Sequence, residues 1–219
     1  ITGANPVASS LGHGASLTLG SSTVTISHTT SGSGNFNVNT AQTYRKALRW
    51  PATETARVYA YNASYSNPSS DIISVSFWVN LEHASNQCVI ISTSAFKIDA
   101  DDSYMYFSFY DSGYDETDHR WDRPAVNEWH HYTVRIDTTN VDNSPIVYKN
   151  GEPVSVTDTG GVGTGAAANL TNIYIGDLNS GHTIKELEGS LQDLVIWNSG
   201  LNQDDARILY NSGSWYDLH

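Results

Sequence analysis

The sequence predicts an all-β fold, built as a sandwich or a barrel, and three observations carry that expectation. Strand-like alternations recur at short intervals, with turn residues between them. Only 16% of the 219 residues are charged, below the usual quarter. Ser, Thr, Asn and Gly supply the polarity instead, and these residues favour strands and turns over helices. Finally, a single convincing helical stretch remains, near residues 202–211.

The elements follow in order. Residues 1–43 are rich in Gly, Ser and Thr, yet they hold alternating pieces at 16–19, 23–27 and 35–39. They are expected to form a β-extension or linker packed on the main domain, residues 44–219. Val75-Ser76-Phe77-Trp78-Val79, Cys88-Val89-Ile90-Ile91-Ser92 and Phe96-Lys97-Ile98 read as further strands. The longest clear alternation is Tyr104-Met105-Tyr106-Phe107-Ser108-Phe109-Tyr110. Side chains alternate across a strand, so Met105, Phe107 and Phe109 share a core face and Tyr104, Tyr106 and Tyr110 the opposite one. Residues 111–126 are expected to be a long polar loop. His130–Ile136 and Ile146–Tyr148 resume the strand pattern, and Lys149-Asn150-Gly151-Glu152 carries the Asn-Gly hairpin signal. In the closing helix Asn202 can cap the first turn, Asp204 and Asp205 suit its positive end, and Gly213 follows it.

Charge and cysteine content narrow the partners. Eleven Lys and Arg face 23 Asp and Glu, a formal charge of -12. A nucleic-acid binder needs a basic footprint and an anionic membrane would repel this surface, so both are disfavoured as partners. No apolar run approaches the length of a membrane span. The lone Cys88 lies in an apolar run and is expected to be a buried, inert thiol. The chain opens on Ile-Thr-Gly with no visible signal peptide, which suggests a piece of a longer protein.

Four stretches, in the right order, resemble the laminin-G-like, concanavalin A-like lectin/glucanase jelly-roll domain family. Val75–Val79 looks like its early strand with a Ser-x-Trp core. Trp129-His130-His131-Tyr132 looks like its Trp-His-His strand. Val147-Tyr148-Lys149-Asn150-Gly151 matches its Tyr-x-Asn-Gly turn. Gly189–Trp197 with Leu201 matches its closing strand, with Gln192 where an acid is more typical. The resemblance covers about residues 45–213. It implies a two-sheet antiparallel jelly-roll sandwich with one short C-terminal helix. The family mostly binds sugars, glycoproteins or proteins outside the cell, and a minority of related sandwiches cleave glycans. Fold alone does not choose between these.

The chemistry points to recognition. Related hydrolases carry a compact Glu-x-Asp-x-x-Glu strand, and Glu186–Asp193 lacks that spacing. Gly-x-Ser-x-Gly, His-Glu-x-x-His and phosphate-loop signatures are missing too. His130 and His131 are neighbours on a strand and point to opposite faces, which prevents joint chelation of one metal. The acids around the tyrosine strand suit calcium, which takes six to eight oxygens on a flexible loop. The candidate ligands are Asp99, Asp101, Asp111, Asp115 and Asp118, with Asp177–Gly181 as a second place. Trp78, Trp129 and Trp197 sit inside strand motifs and are expected in the core, as is Trp50. Trp121 stands alone in the expected loop. With Tyr114, His119, Arg120 and the Tyr104, Tyr106 and Tyr110 face, it suits stacking on a sugar while polar groups take the hydroxyls.

The sequence therefore points to a non-catalytic module that binds a glycan or glycoprotein with the help of Ca²⁺. Its setting would be a larger adhesin or a phage or virion surface protein, outside the cell. A structural or protein-binding module contacting neighbouring domains is the alternative, and a polysaccharide-cleaving enzyme comes third.

Overall fold

Strand pairing in this chain produces two antiparallel sheets whose apolar faces meet. The structure, a computed structural model, describes residues 70–82, 88–170, 172–176 and 187–213 with their side chains, plus the backbone of four earlier strands. Those four are β1 (Thr25–His28), β2 (Asn37–Gln42), β3 (Arg45–Trp50) and β4 (Val58–Asn62). Then come β5 (Ile72–Leu81), β6 (Cys88–Thr93), β7 (Phe96–Ala100), β8 (Tyr104–Tyr110), β9 (Glu116–Asp122) and β10 (Trp129–Asp137). The rest are β11 (Ile146–Lys149), β12 (Glu152–Pro153), β13 (Thr157–Gly161), β14 (Ile173–Ile175), β15 (Gly189–Trp197) and the helix α1 (Gln203–Tyr210). One sheet has eight strands in the order β1-β4-β14-β6-β7-β8-β9-β13, and the other has seven in the order β12-β11-β10-β5-β15-β3-β2. This is the two-sheet antiparallel sandwich that the resemblance implied. Two strands from the stretch before residue 44, β1 and β2, pair with β4 and β3.

The core is the sum of the inward halves of each alternation. Val75, Phe77, Val79 and Leu81 of β5 meet Phe96 and Ile98 of β7 and Met105, Phe107 and Phe109 of β8. Phe107 and Phe109 pack edge to face at 4.7 Å, and Phe77 stacks on Tyr132 at 5.7 Å. Each such ring contributes roughly 1.5–3 kcal/mol by leaving water. Cys88 is buried, and burial pushes its thiol up to about 11. It is the inert group expected.

Two local signals fold as read. Asn150 and Gly151 both have positive φ, 52° and 80°, which is the primed turn that suits a twisted hairpin. A Cβ at Gly151 would sit 3.0 Å from the Arg207 Cα, so glycine also lets the helix approach. On α1, the Asn202 side chain accepts from the backbone N–H groups of Asp204 and Asp205, and Asp205 accepts from Asn202 in return, a full capping box. The helix lies on the outer face of the seven-stranded sheet, where the Tyr210 and Trp78 rings are 5.7 Å apart.

The tryptophans are sorted differently from the expectation. Register places Trp78, Trp129 and Trp197 on the outer face of the seven-stranded sheet, since Trp129 pairs with Asn80, His131 with Trp78, and Trp197 with Ser74. Trp78 is buried there, while Trp129 and Trp197 are half-buried. Trp121, expected in a loop, is the inward one: it lies on β9 at 2% exposure, 6.2 Å from the Tyr132 ring. The side chains of Trp50, Asp177, Asn179 and Ser180, and Gly181 with them, lie outside the described residues.

At one edge of the eight-stranded sheet, β13 pairs with β9 through a register shift between Asp158 and Gly160. Its five residues are exposed. A Cβ at Gly161 would lie 2.2 Å from the Glu116 carbonyl oxygen, so only glycine fits this approach.

Candidate functional site

The expected loop 111–126 is a tight turn followed by a strand. Tyr110 pairs with Glu116, so the β8–β9 turn spans only 111–115, and β9 then runs antiparallel to β8 back to Asp122. Thr117, His119 and Trp121 alternate inward, which removes His119 and Trp121 from any solvent-facing rim. His119 is fully buried, with Nδ1 3.4 Å from Ser144 Oγ. Tyr114 stays exposed on the turn at φ 67° and lines neither cavity described below.

The candidate calcium ligands fall at separate places. Asp111 Oδ1 accepts from Gly113 N at 2.7 Å and Asp115 N at 3.0 Å, and Oδ2 accepts from Thr164 N at 2.9 Å. These backbone bonds, Thr164 foremost, hold its carboxyl below the usual range. Asp101 caps the β7–β8 turn in the same manner, accepting from Ser103 N, Tyr104 N and the Tyr106 hydroxyl. Burial would raise its pKa, but those bonds and nearby Arg123 outweigh it and lower it. Asp99 and Asp118 belong to the sheet face, and Asp115 to the turn. Among the described residues no three His, Cys, Asp or Glu side chains converge to hold a metal. Asp177–Gly181 lies outside the description.

Strand pairing does bring a chemical face together on the outside of the eight-stranded sheet. Lys97, Ser108 and Asp118 form one row across β7, β8 and β9, and Asp99, Tyr106 and Arg120 form the next, which continues to Thr157 of β13. Tyr104 and Asp122 flank one side, and Tyr110 and Glu116 the other. Ser108 Oγ donates to Asp118 Oδ1 at 2.5 Å, the Tyr106 hydroxyl to Asp101 Oδ2 at 2.7 Å, and the Tyr110 hydroxyl to Glu116 Oε1 at 3.3 Å. Lys97 Nζ sits 3.5 Å from both Asp99 Oδ2 and Glu116 Oε1. The Arg120 guanidinium lies 4.1 Å over the Tyr104 ring.

This face holds a cavity of about 230 Å³ lined by Lys97, Asp99, Asp101, Tyr106, Ser108 and Asp118. Burial raises the Asp118 pKa, and the Glu116 charge adds to it. Burial and the bond to Asp101 raise that of Tyr106. A second cavity of about 360 Å³ adjoins Tyr104 and Arg120 at the sheet edge. Of the expected ligand residues, Tyr104, Tyr106, Tyr110 and Arg120 share this surface, while Tyr114, His119 and Trp121 do not. The reading missed Lys97, Ser108 and Glu116. The alternation of Phe96-Lys97-Ile98-Asp99 carried a signal for Lys97 and Asp99.

Two packed antiparallel sheets, one with an outer face free of any described helix, define a jelly-roll β-sandwich. The chain belongs to the concanavalin A-like lectin/glucanases superfamily, whose family model matches residues 52–207. No curated protein matches it by sequence. Solved structures similar to it include the receptor-binding domain of botulinum neurotoxin C/D mosaic serotype, at TM-score 0.62 and 18% identity. That match covers 87% of this chain and 46% of the neurotoxin chain. The binding domain of botulinum neurotoxin DC in complex with SialylT matches at TM-score 0.63 and 16% identity, over 89% of this chain and 47% of that one. A type C neurotoxin structure, whose cell entry depends on two ganglioside molecules, matches at TM-score 0.59 and 16% identity, over 88% and 47%. At these identities the likeness shows the fold, and this chain spans about half the length of those domains. Among the described residues no helix is long and apolar enough to cross a membrane.

Proposed function

We propose that this chain is a non-catalytic recognition module that binds a glycan on the outer face of its eight-stranded sheet. The observation that carries the reading is the cavity beside Tyr106, where carboxylates, a lysine and a tyrosine ring converge on a surface open to solvent. Sugars need these two kinds of contact at once: rings for their C–H faces, and charged oxygens or nitrogens for their hydroxyls. The receptor-binding role of the similar neurotoxin domains, and the ganglioside dependence of one, support it. Such a module belongs outside the cell, within a longer adhesin or virion-surface protein. Catalysis is not part of this reading, which the receptor-binding domains among the similar solved structures support.

A glycan array with the wild-type chain and a Tyr104→Ala/Tyr106→Ala variant tests it. Discrete hits that vanish in the variant, at near-equal melting temperature, are expected. A blank array, hits that survive the double variant, or release of reducing ends from a bound polysaccharide would overturn it.

A further inference from the structure

The cavity at the edge of the eight-stranded sheet differs in charge from the one beside it. The cavity at Tyr106 has three carboxylates and one lysine. The edge cavity has Arg120 and Lys149 against a single carboxylate, Asp122. In a chain of formal charge -12 this excess of cation is unusual. Neither Arg120 nor Lys149 has a carboxylate within ion-pair distance among the described residues, whereas Lys97 and Arg207 each have two. Two cations lining one cavity repel each other until an anion sits between them.

The rest of the lining specifies the shape of that anion. Val154 supplies the apolar part of the wall, and Ser155 and Thr157 also line the cavity. The Tyr104 ring holds the guanidinium of Arg120 from one side, which leaves edge N–H groups able to grip a planar, two-oxygen acceptor. At about 360 Å³ the cavity falls within the range of small-molecule sites. A free inorganic ion would leave the apolar wall unused.

We infer that this edge cavity is a subsite for an acidic sugar, its carboxylate held between Arg120 and Lys149 and its ring against Val154. The inference rests on the glycan reading above and adds the class of sugar. Tyr106 and Arg120 are paired across β8 and β9, so the two cavities share a wall. An adjoining neutral residue of the same glycan would present its hydroxyls to Asp101 and Asp118.

The test uses ligand pairs that differ in one kind of charge: trigalacturonate against its methyl ester, and sialyllactose against lactose, titrated calorimetrically at low salt. At least one acidic member is expected to bind tenfold or more tighter than its neutral partner. Arg120→Gln and Lys149→Gln should each reduce that ratio toward one with unchanged melting temperature, while Arg207→Gln, which also removes a positive charge, should leave it alone. Equal affinity within both pairs, or a ratio that survives both variants, overturns the subsite. A galactose-6-sulfate oligosaccharide bound more tightly than either carboxylate overturns the carboxylate assignment. If no oligosaccharide binds, free galacturonate decides: shifts of the Arg120 and Lys149 side-chain NMR signals retain the anion subsite and defeat the glycan reading. Unmoved signals defeat both.

Discussion

Helix α1 lies on the outer face of the seven-stranded sheet, where Trp78, His131, Thr133 and Gln192 are buried. On the outer face of the eight-stranded sheet, Lys97, Tyr104, Tyr106, Asp118 and Arg120 remain half-exposed around cavities. Both faces come from strands of similar alternation, and both mix aromatic with polar side chains. The difference is the cover. Covered, a histidine must give up its charge: burial takes His131 down to about 3. Open, a carboxylate such as Asp118 can be raised by partial burial and still face a ligand. Alternation tells which residues share a face, and only the packing of a distant segment tells which face is available to a partner.

Deleting a ring from each face breaks the comparison most severely. Trp78→Ala is expected to cost roughly 3–5 kcal/mol, as for a large buried aromatic, and Trp121→Ala a similar amount. Tyr106→Ala on the open face should cost about 1 kcal/mol, within the usual range for a partly exposed site. Urea melts of the three variants check this, and similar losses at Trp78 and Tyr106 would erase the distinction.

Acid sharpens it next. The folded-state pKa of His131 is depressed, so the unfolded chain binds its proton first. The stability it contributes is complete above about 6.5 and falls as the pH drops towards about 3. A shift of that size corresponds to roughly 3–5 kcal/mol. Asp118 has the opposite sign: its pKa is raised, and its contribution is lost as the pH rises through the folded value. In His131→Gln the acid-side fall between those limits should flatten, while Asp118→Asn should leave it in place. Equilibrium denaturation across that pH range reads both.

The smaller effects concern the caps. Asp111→Asn should lower stability by weakening charge-assisted bonds to the backbone N–H groups of Gly113, Asp115 and Thr164. The loss should be identical in EDTA and in calcium, and a loss confined to calcium would restore a metal at this turn. Asn202→Ala should cost about 1 kcal/mol by removing the helix cap. Because α1 covers Trp78, its fluorescence should shift with that loosening, while ligand affinity on the other sheet stays constant.

Much of the fold was legible because short-range rules govern it. The Asn150-Gly151 turn, the cap at Asn202 and the inward Met105, Phe107 and Phe109 all depend on residues within a few positions of one another. Strand β9 was hidden because its inward residues are Thr117, His119 and Trp121. A polar pair and one aromatic do not look like a core face beside Glu116, Asp118 and Arg120. Trp129 and Trp197 misled for the opposite reason: an aromatic in a strand is expected inward, and here register turns both to the outer face, half-buried. The site was half legible. The tyrosine face follows from alternation within β8, but its polar partners come from β7 and β9 through register, which a single strand does not encode. A sequence also does not show which carboxylates accept from backbone N–H groups, as Asp101 and Asp111 do here.

The register shift in β13 has a consequence for crowding. A sheet edge is a row of unpaired N–H and C=O groups, ready to accept a strand from another molecule. Between Asp158 and Gly160 that row loses its regular spacing, and the Gly160-Gly161 pair adds no apolar side chain to attract a visitor. Asp158 places a negative charge on the rim. Copies displayed side by side would thus meet along a poor template for cross-molecular β-pairing. This border adjoins the cavity that Arg120 and Lys149 line, through Thr157 of the same strand.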